Sequence, residues 1–135
     1  MTASSTAATD RGLLDTSIFV AREHGRPLGT LPDNAAISVV TIAELHLGVL
    51  IADDSKIRAQ RLRTLSAVEA LFEPLPIDAP VARAFAELAV EARRKGKRPK
   101  IMDTWIAATA VAHNLPIYTQ DEDFSTIPQL RVIRA

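Results

Sequence analysis

Short apolar runs alternate with longer helical stretches along this chain, and that alternation restricts it to a few α/β arrangements. The runs are residues 12–14 (GLL), 35–40 (AAISVV), 115–119 (LPIYT) and 130–134 (LRVIR). The first two are almost continuously apolar, as strands covered on both faces are. The last reads as an edge strand. A helical turn is expected from Asp15, and a helix over 42–50. A longer amphipathic helix spans 56–72, with Ile57, Leu62, Leu65, Val68, Leu71 and Phe72 as its apolar stripe and Arg58, Arg61 and Arg63 opposite. Asp78 starts the next helix with Pro80 in its first turn, and Gly96 and Pro99 stop it. The final helix covers 103–114. Together these predict an α/β sandwich around a mostly parallel sheet.

The chain has 135 residues, enough for one domain with its own core. We expect that domain over 11–135, after a flexible Ser/Thr/Ala-rich tail at 1–10. No apolar run reaches the roughly 18 residues of a membrane span, and the N-terminus lacks the pattern of a signal peptide. Cysteine is absent, which excludes a disulfide scaffold, a thiolate zinc site and a cysteine nucleophile. The default location is the cytoplasm. Lys+Arg and Asp+Glu both number 16, so any nucleic-acid footprint must be local. One local candidate exists: Arg93, Arg94, Lys95, Lys97, Arg98 and Lys100, a basic run with no acid. Such a run serves either as a solvated loop or as a set of phosphate contacts.

Acids fall at the strand ends. Asp15 closes the first strand, Glu44 lies just after the second, and Asp121 and Asp123 follow the strand ending at Thr119. Asp103 opens the helix that leads into that strand. Open parallel sheets bind ligands beyond the carboxyl ends of their strands. If the strands are neighbours, these acids converge. Two carboxylates about 4 Å apart repel by roughly 4 kcal/mol at an effective dielectric of ~20, so a cluster calls for a cation. Oxygen ligands without His or Cys suit Mg²⁺ or Mn²⁺. Each acid also has a purely local reading. Asp15 and Asp103 sit where helix caps and first-turn acids belong, and Asp121 and Asp123 where turn acids do. Thr41-Ile42-Ala43-Glu44 fits a capping box, and Asp78 reads as a cap alone. The three histidines lack zinc spacing, Ser17 lacks a triad, and no phosphate-binding glycine loop is present. Trp105 reads as core packing.

Four stretches in order resemble one family. Leu13-Leu14-Asp15-Thr16-Ser17 resembles the opening motif of PIN-domain proteins. Ser38 and Thr41-Ile42-Ala43-Glu44-Leu45 with Gly48 resemble the second, Asp103-Thr104-Trp105-Ile106-Ala107-Ala108-Thr109-Ala110 the third, and Thr119-Gln120-Asp121-Glu122-Asp123-Phe124 the last. The small size is similar to that of VapC toxins of type II toxin–antitoxin modules. The resemblance implies a three-layer α/β/α sandwich and a Mg²⁺- or Mn²⁺-dependent endoribonuclease that hydrolyses RNA phosphodiesters, in a tRNA or rRNA for example, by metal-activated water. It implies Asp15, Glu44, Asp103 and Asp121 as the catalytic, metal-binding acids, with Asp123 as the second choice for the fourth. Thr16 and Thr119 would be supporting polar groups, and the six basic residues RNA contacts. It further implies a homodimer restrained by a VapB-type antitoxin whose C-terminal segment lies over the active-site groove. The rival expectations are another metal-dependent phosphoesterase on the same fold and a non-catalytic RNA-binding module. The first lacks a D-x-D pattern at Asp15; the second leaves the complete set of acids unexplained.

Overall fold

A computed structural model describes residues 10–135, in which the four apolar runs form one sheet. The expected tail falls almost wholly outside these described residues. The strands are β1 (Arg11–Leu14), β2 (Asn34–Ala36), β3 (Ile117–Thr119) and β4 (Val132–Arg134). Their order is β2-β1-β3-β4 and every pairing is parallel, with β4 at the edge. The helices are α1 (Thr16–Glu23), α2 (Val39–Ile51), α3 (Ser55–Leu71), α4 (Ala79–Arg94) and α5 (Ile101–Ala112). A 3-10 turn (Glu122–Thr126) follows β3.

Side chains alternate across a strand, so Leu13 and Leu14 point to opposite faces. Leu13 packs with Val81, Leu88, Ile106, Ile117 and Phe124, under α4 and α5. Leu14 packs with Ile18, Phe19, Ile37, Leu45, Leu65 and Val68, under α1, α2 and α3. Each fully buried leucine stabilises the sandwich by about 2 kcal/mol. The result is the expected three layers.

Three expectations are corrected. The strand expected over 35–40 stops at Ala36, because Ser38 caps α2 by accepting the Val40 N–H at 3.0 Å. A serine cap here outweighs the strand preference of Val39 and Val40, which become the first turn of the helix. Ile37 stays extended and accepts the Leu75 N–H at 2.9 Å. The α3 stripe is narrower than its periodicity suggests: Leu65 and Val68 are buried, whereas Ile57, Leu62 and Leu71 are 43%, 49% and 74% exposed. The reason is that α3 packs mainly on α1 and α2 rather than on the sheet. Finally, the helix expected over 103–114 runs over Ile101–Ala112 as α5, which places Asp103 inside its first turn rather than at its first residue. Asp78 does cap α4, accepting the Val81 N–H at 3.2 Å, and Trp105 stacks on Phe85 with ring centroids 3.8 Å apart, as a core residue would.

This topology positions the site. From β1 the chain moves to β2 on one side and later returns to β3 on the other. The carboxyl ends of β1 and β3 therefore flank the switch point, where an open sheet leaves a crevice.

Candidate functional site

Asp15 is the first residue past β1 and only 3% exposed. It occupies the cap position of α1 but makes no side-chain cap bond. Its Oδ2 instead accepts hydrogen bonds from Ser17 Oγ and Thr119 Oγ1, both at 2.7 Å. Ser17 Oγ in turn accepts the Gln120 N–H at 2.9 Å, and Thr119 Oγ1 accepts the Asp121 N–H at 2.8 Å. These four bonds lace the end of β1 to the end of β3 and fix the aim of Asp15. Thr119 is thereby bonded to both Asp15 and the Asp121 backbone. Ser17 is a site residue that the sequence reading missed, since it was weighed only as a nucleophile; its place two residues after Asp15 was the available signal. Ser17→Ala removes one of two bonds to the Asp15 carboxylate, worth about 1 kcal/mol. It should leave the fold intact and lower any activity of the site by about tenfold, measured as turnover beside thermal melting.

Glu44 is half-buried on α2. It is not part of a capping box, because Ser38 rather than Thr41 caps the helix. Thr16 Oγ1 donates to Glu44 Oε1 at 2.6 Å and lies 3.0 Å from the Thr41 hydroxyl. Thr16 therefore orients Glu44, a structural counterpart to Thr119 at Asp15. Asp103 comes from the first turn of α5 and is 8% exposed. Its Oδ2 is buried without a hydrogen-bond partner among the described residues. Such an atom costs about 1–3 kcal/mol unless something meets it. Asp121 caps the 3-10 turn by accepting the Asp123 N–H at 2.9 Å. Asp123 lies farther out, with its Oδ2 3.0 Å from Lys100 Nζ.

Asp15, Thr16, Glu44, Lys100, Asp103 and Asp121 line one cavity of about 400 Å³. One oxygen each from Asp103, Asp121 and Asp123 also falls within 4.8 Å of the others, whereas Asp15 and Glu44 are outside that tight group. Asp121 lines the cavity and Asp123 does not. Burial, then the charges of Asp15, Asp121 and Glu44, push the Asp103 carboxyl from the ordinary 3.8 up to about 6, against the pull of Lys100. Burial raises Glu44 as well, with Asp15 and Asp121 adding to it and the Thr16 bond opposing. Burial also raises Asp15, opposed by its bonds from Thr119 and Ser17. Crowded carboxylates, all-oxygen donors and one partnerless buried oxygen fit a hard divalent cation such as Mg²⁺ or Mn²⁺.

These shifts have a stability consequence. An acid whose folded pKa exceeds its unfolded value binds more protons when folded, so stability falls as pH rises between the two. In chelator, the melting temperature should therefore drop between about pH 4 and pH 6.5, with Asp103 as the largest contributor. Melts of the Asp103→Asn variant should show a visibly shallower slope in that window. An equal slope would place the effect elsewhere.

The basic run does not form one patch. Arg93 and Arg94 are on the last turn of α4. Arg94 and Lys95 share a surface with Glu87 and Glu91, and Lys95 Nζ is 3.5 Å from Glu91. Arg93, Lys97 and Arg98 line a separate cleft, and Lys100 alone enters the acid cavity. No helix among the described residues is long and apolar enough to cross a membrane.

Known proteins resemble this arrangement along almost its whole length. The sequence profile of the PIN domain matches residues 12–130. Ribonuclease VapC5 of Mycobacterium tuberculosis is 49% identical over 118 residues, covering 86% of this chain and 87% of that protein. Ribonuclease VapC4 of the same organism is 44% identical over 128 residues, covering 91% and 95%. In three dimensions the chain is similar to VapBC-5, a member of the VapBC family of toxin–antitoxin systems from Mycobacterium tuberculosis, with a TM-score of 0.83 and 42% identity over 93% of this chain and 99% of that one. FitAcB of Neisseria gonorrhoeae gives a TM-score of 0.72 at 31% identity, covering 90% and 95%.

Proposed function

This chain belongs to the PIN-domain family, and on that premise we propose that it is a Mg²⁺- or Mn²⁺-dependent endoribonuclease, the toxin of a VapBC-type toxin–antitoxin module. One observation carries the metal-dependent reading: Asp103 is buried with a partnerless oxygen while three further acids line the same cavity. Neither a solvated surface nor a passive RNA-binding face needs that arrangement, and it is costly without a cation.

In this reading Asp15, Glu44, Asp103 and Asp121 would hold the ion, with Asp123 at the rim. Such an ion would supply Lewis acidity to lower the pKa of a water and to offset charge on phosphate oxygens. Thr16 holds Glu44, and Ser17 and Thr119 hold Asp15, so the donors are aimed before substrate arrives. Lys100 and Arg26 are the cationic side chains lining the cavity, placed to meet a phosphate oxygen. The substrate is RNA, with its phosphates drawn to the basic residues of the 93–100 run. The working form is a cytoplasmic homodimer held inactive by a VapB-type antitoxin. Exposed Leu47, Leu50 and Ile51 on α2 give it apolar surface of the kind that subunit contacts cover.

The test is cleavage of single-stranded and transfer RNA by the purified chain, freed of antitoxin. Cutting is expected with Mg²⁺ or Mn²⁺ and is expected to stop with EDTA. Cutting that persists in EDTA would sink the metal-dependent reading. For the partner, co-expression of the adjacent reading frame should relieve growth arrest, and failure to do so would count against the toxin role.

A further inference from the structure

The first turn of α5 is a wall between two cavities. Asp103 faces the acid cavity and Thr104 lines the neighbouring cleft, while Ile101 borders both and is 68% exposed. The cleft, about 730 Å³, lies between the end of α4 and the start of α5. Arg93, Lys97 and Arg98 line it and no acid does. None of the three forms an ion pair among the described residues. Ala89, Ala92 and Gly96 keep its wall low. Gly96 stands at φ 68°, and a side chain there would meet nothing within 4 Å, so the turn carrying Lys97 and Arg98 is open to solvent.

We infer that this cleft is the binding site for the RNA strand on one side of the cut, with Arg93, Lys97 and Arg98 contacting its phosphates and Ile101 as the ridge the strand crosses into the acid cavity. The inference rests on the ribonuclease reading and adds the path of the substrate. Four acids in one cavity repel a polyanion, so the phosphates flanking the scissile one need cations nearby but outside the acid cluster. This cleft supplies three, next to the wall that carries Asp103. The surface of Arg94 and Lys95 includes Glu87 and Glu91, which weaken it for the same task.

The test uses the cleavage-deficient Asp103→Asn chain with a fluorescently labelled single-stranded RNA, read by anisotropy over a salt series. Adding Lys97→Ser and Arg98→Ser should weaken binding by about tenfold. It should also flatten the log–log salt dependence by about 1.4, at roughly 0.7 per phosphate contact for a single strand. A charge-matched control, Arg83→Ser with Lys56→Ser, should change affinity by less than about twofold. Equal losses in both pairs would overturn the inference, since net charge alone would then explain them. No loss in either would overturn it too, and with cleavage by the unmodified chain intact the ribonuclease reading would survive. A parent chain that binds no RNA, together with an unmodified chain that cuts none, would overturn both.

Discussion

Asp103→Asn is expected to abolish RNA cleavage and, in chelator, to give a protein that melts higher than the parent. Few active-site changes should combine so large a loss with a gain. Asparagine keeps the shape of the side chain but removes a charge that Asp15, Asp121 and Glu44 all oppose. The metal-free fold should gain about 1–3 kcal/mol, or roughly 4–10 °C, because one pKa unit is worth about 1.4 kcal/mol. The same change takes an anionic ligand from the ion. Turnover should fall by at least about a thousandfold, the equivalent of about 4 kcal/mol at the transition state. Adding Mg²⁺ or Mn²⁺ should then raise the melting temperature of the parent more than that of the variant. A variant that cuts at the parent's rate, or that melts lower in chelator, would contradict this account of the cluster.

Phe124→Ala should have the largest effect on stability of any single change near the site. The ring is fully buried, packed with Leu13, Ile106 and Ile117, and it sits in the 3-10 turn that Asp121 caps. Truncation should cost about 3–5 kcal/mol. It should also loosen the turn, so turnover per folded molecule should drop by about tenfold even well below the melting point. Leu88→Ala is the comparison: it lies in the same core, but on α4 rather than in the turn. It should lose comparable stability and keep its turnover. Equal turnover losses in the two variants would show that the turn does not depend on Phe124 to place Asp121.

The site was legible because its acids sit where backbone geometry changes. Asp15, Glu44 and Asp121 each follow a strand, and a parallel sheet with β1 at its centre brings those ends together. The local readings fare differently: Asp121 caps the 3-10 turn, whereas Asp15 and Glu44 do not cap. Asp15 makes no cap bond at all, and Glu44 is held by Thr16, which is 28 residues away in sequence. What escaped the sequence was decided by tertiary partners or by a single local bond. Ser17 stands two residues after Asp15 in the opening motif, but its bonding role shows only when Thr119 and Gln120 arrive beside it. Ser38 ended β2 early through one hydrogen bond, against the β-branched residues that follow. The basic run looked uniform, yet turns of α4 and α5 send Arg94, Arg98 and Lys100 to three different surfaces. Gly12 reads as an ordinary strand residue, but a β-carbon there would collide with the Tyr118 ring, a crowding that only the folded chain reveals.

The central claim is that these acids form a divalent-cation centre, and anomalous scattering from crystals soaked in Mn²⁺ tests it most directly. The account predicts a peak about 2.0–2.3 Å from carboxylate oxygens of Asp15 and Asp103, with Glu44 or Asp121 completing the protein ligands. A crystal at neutral pH with its acid cavity open to solvent and no Mn²⁺ bound among these residues would contradict it.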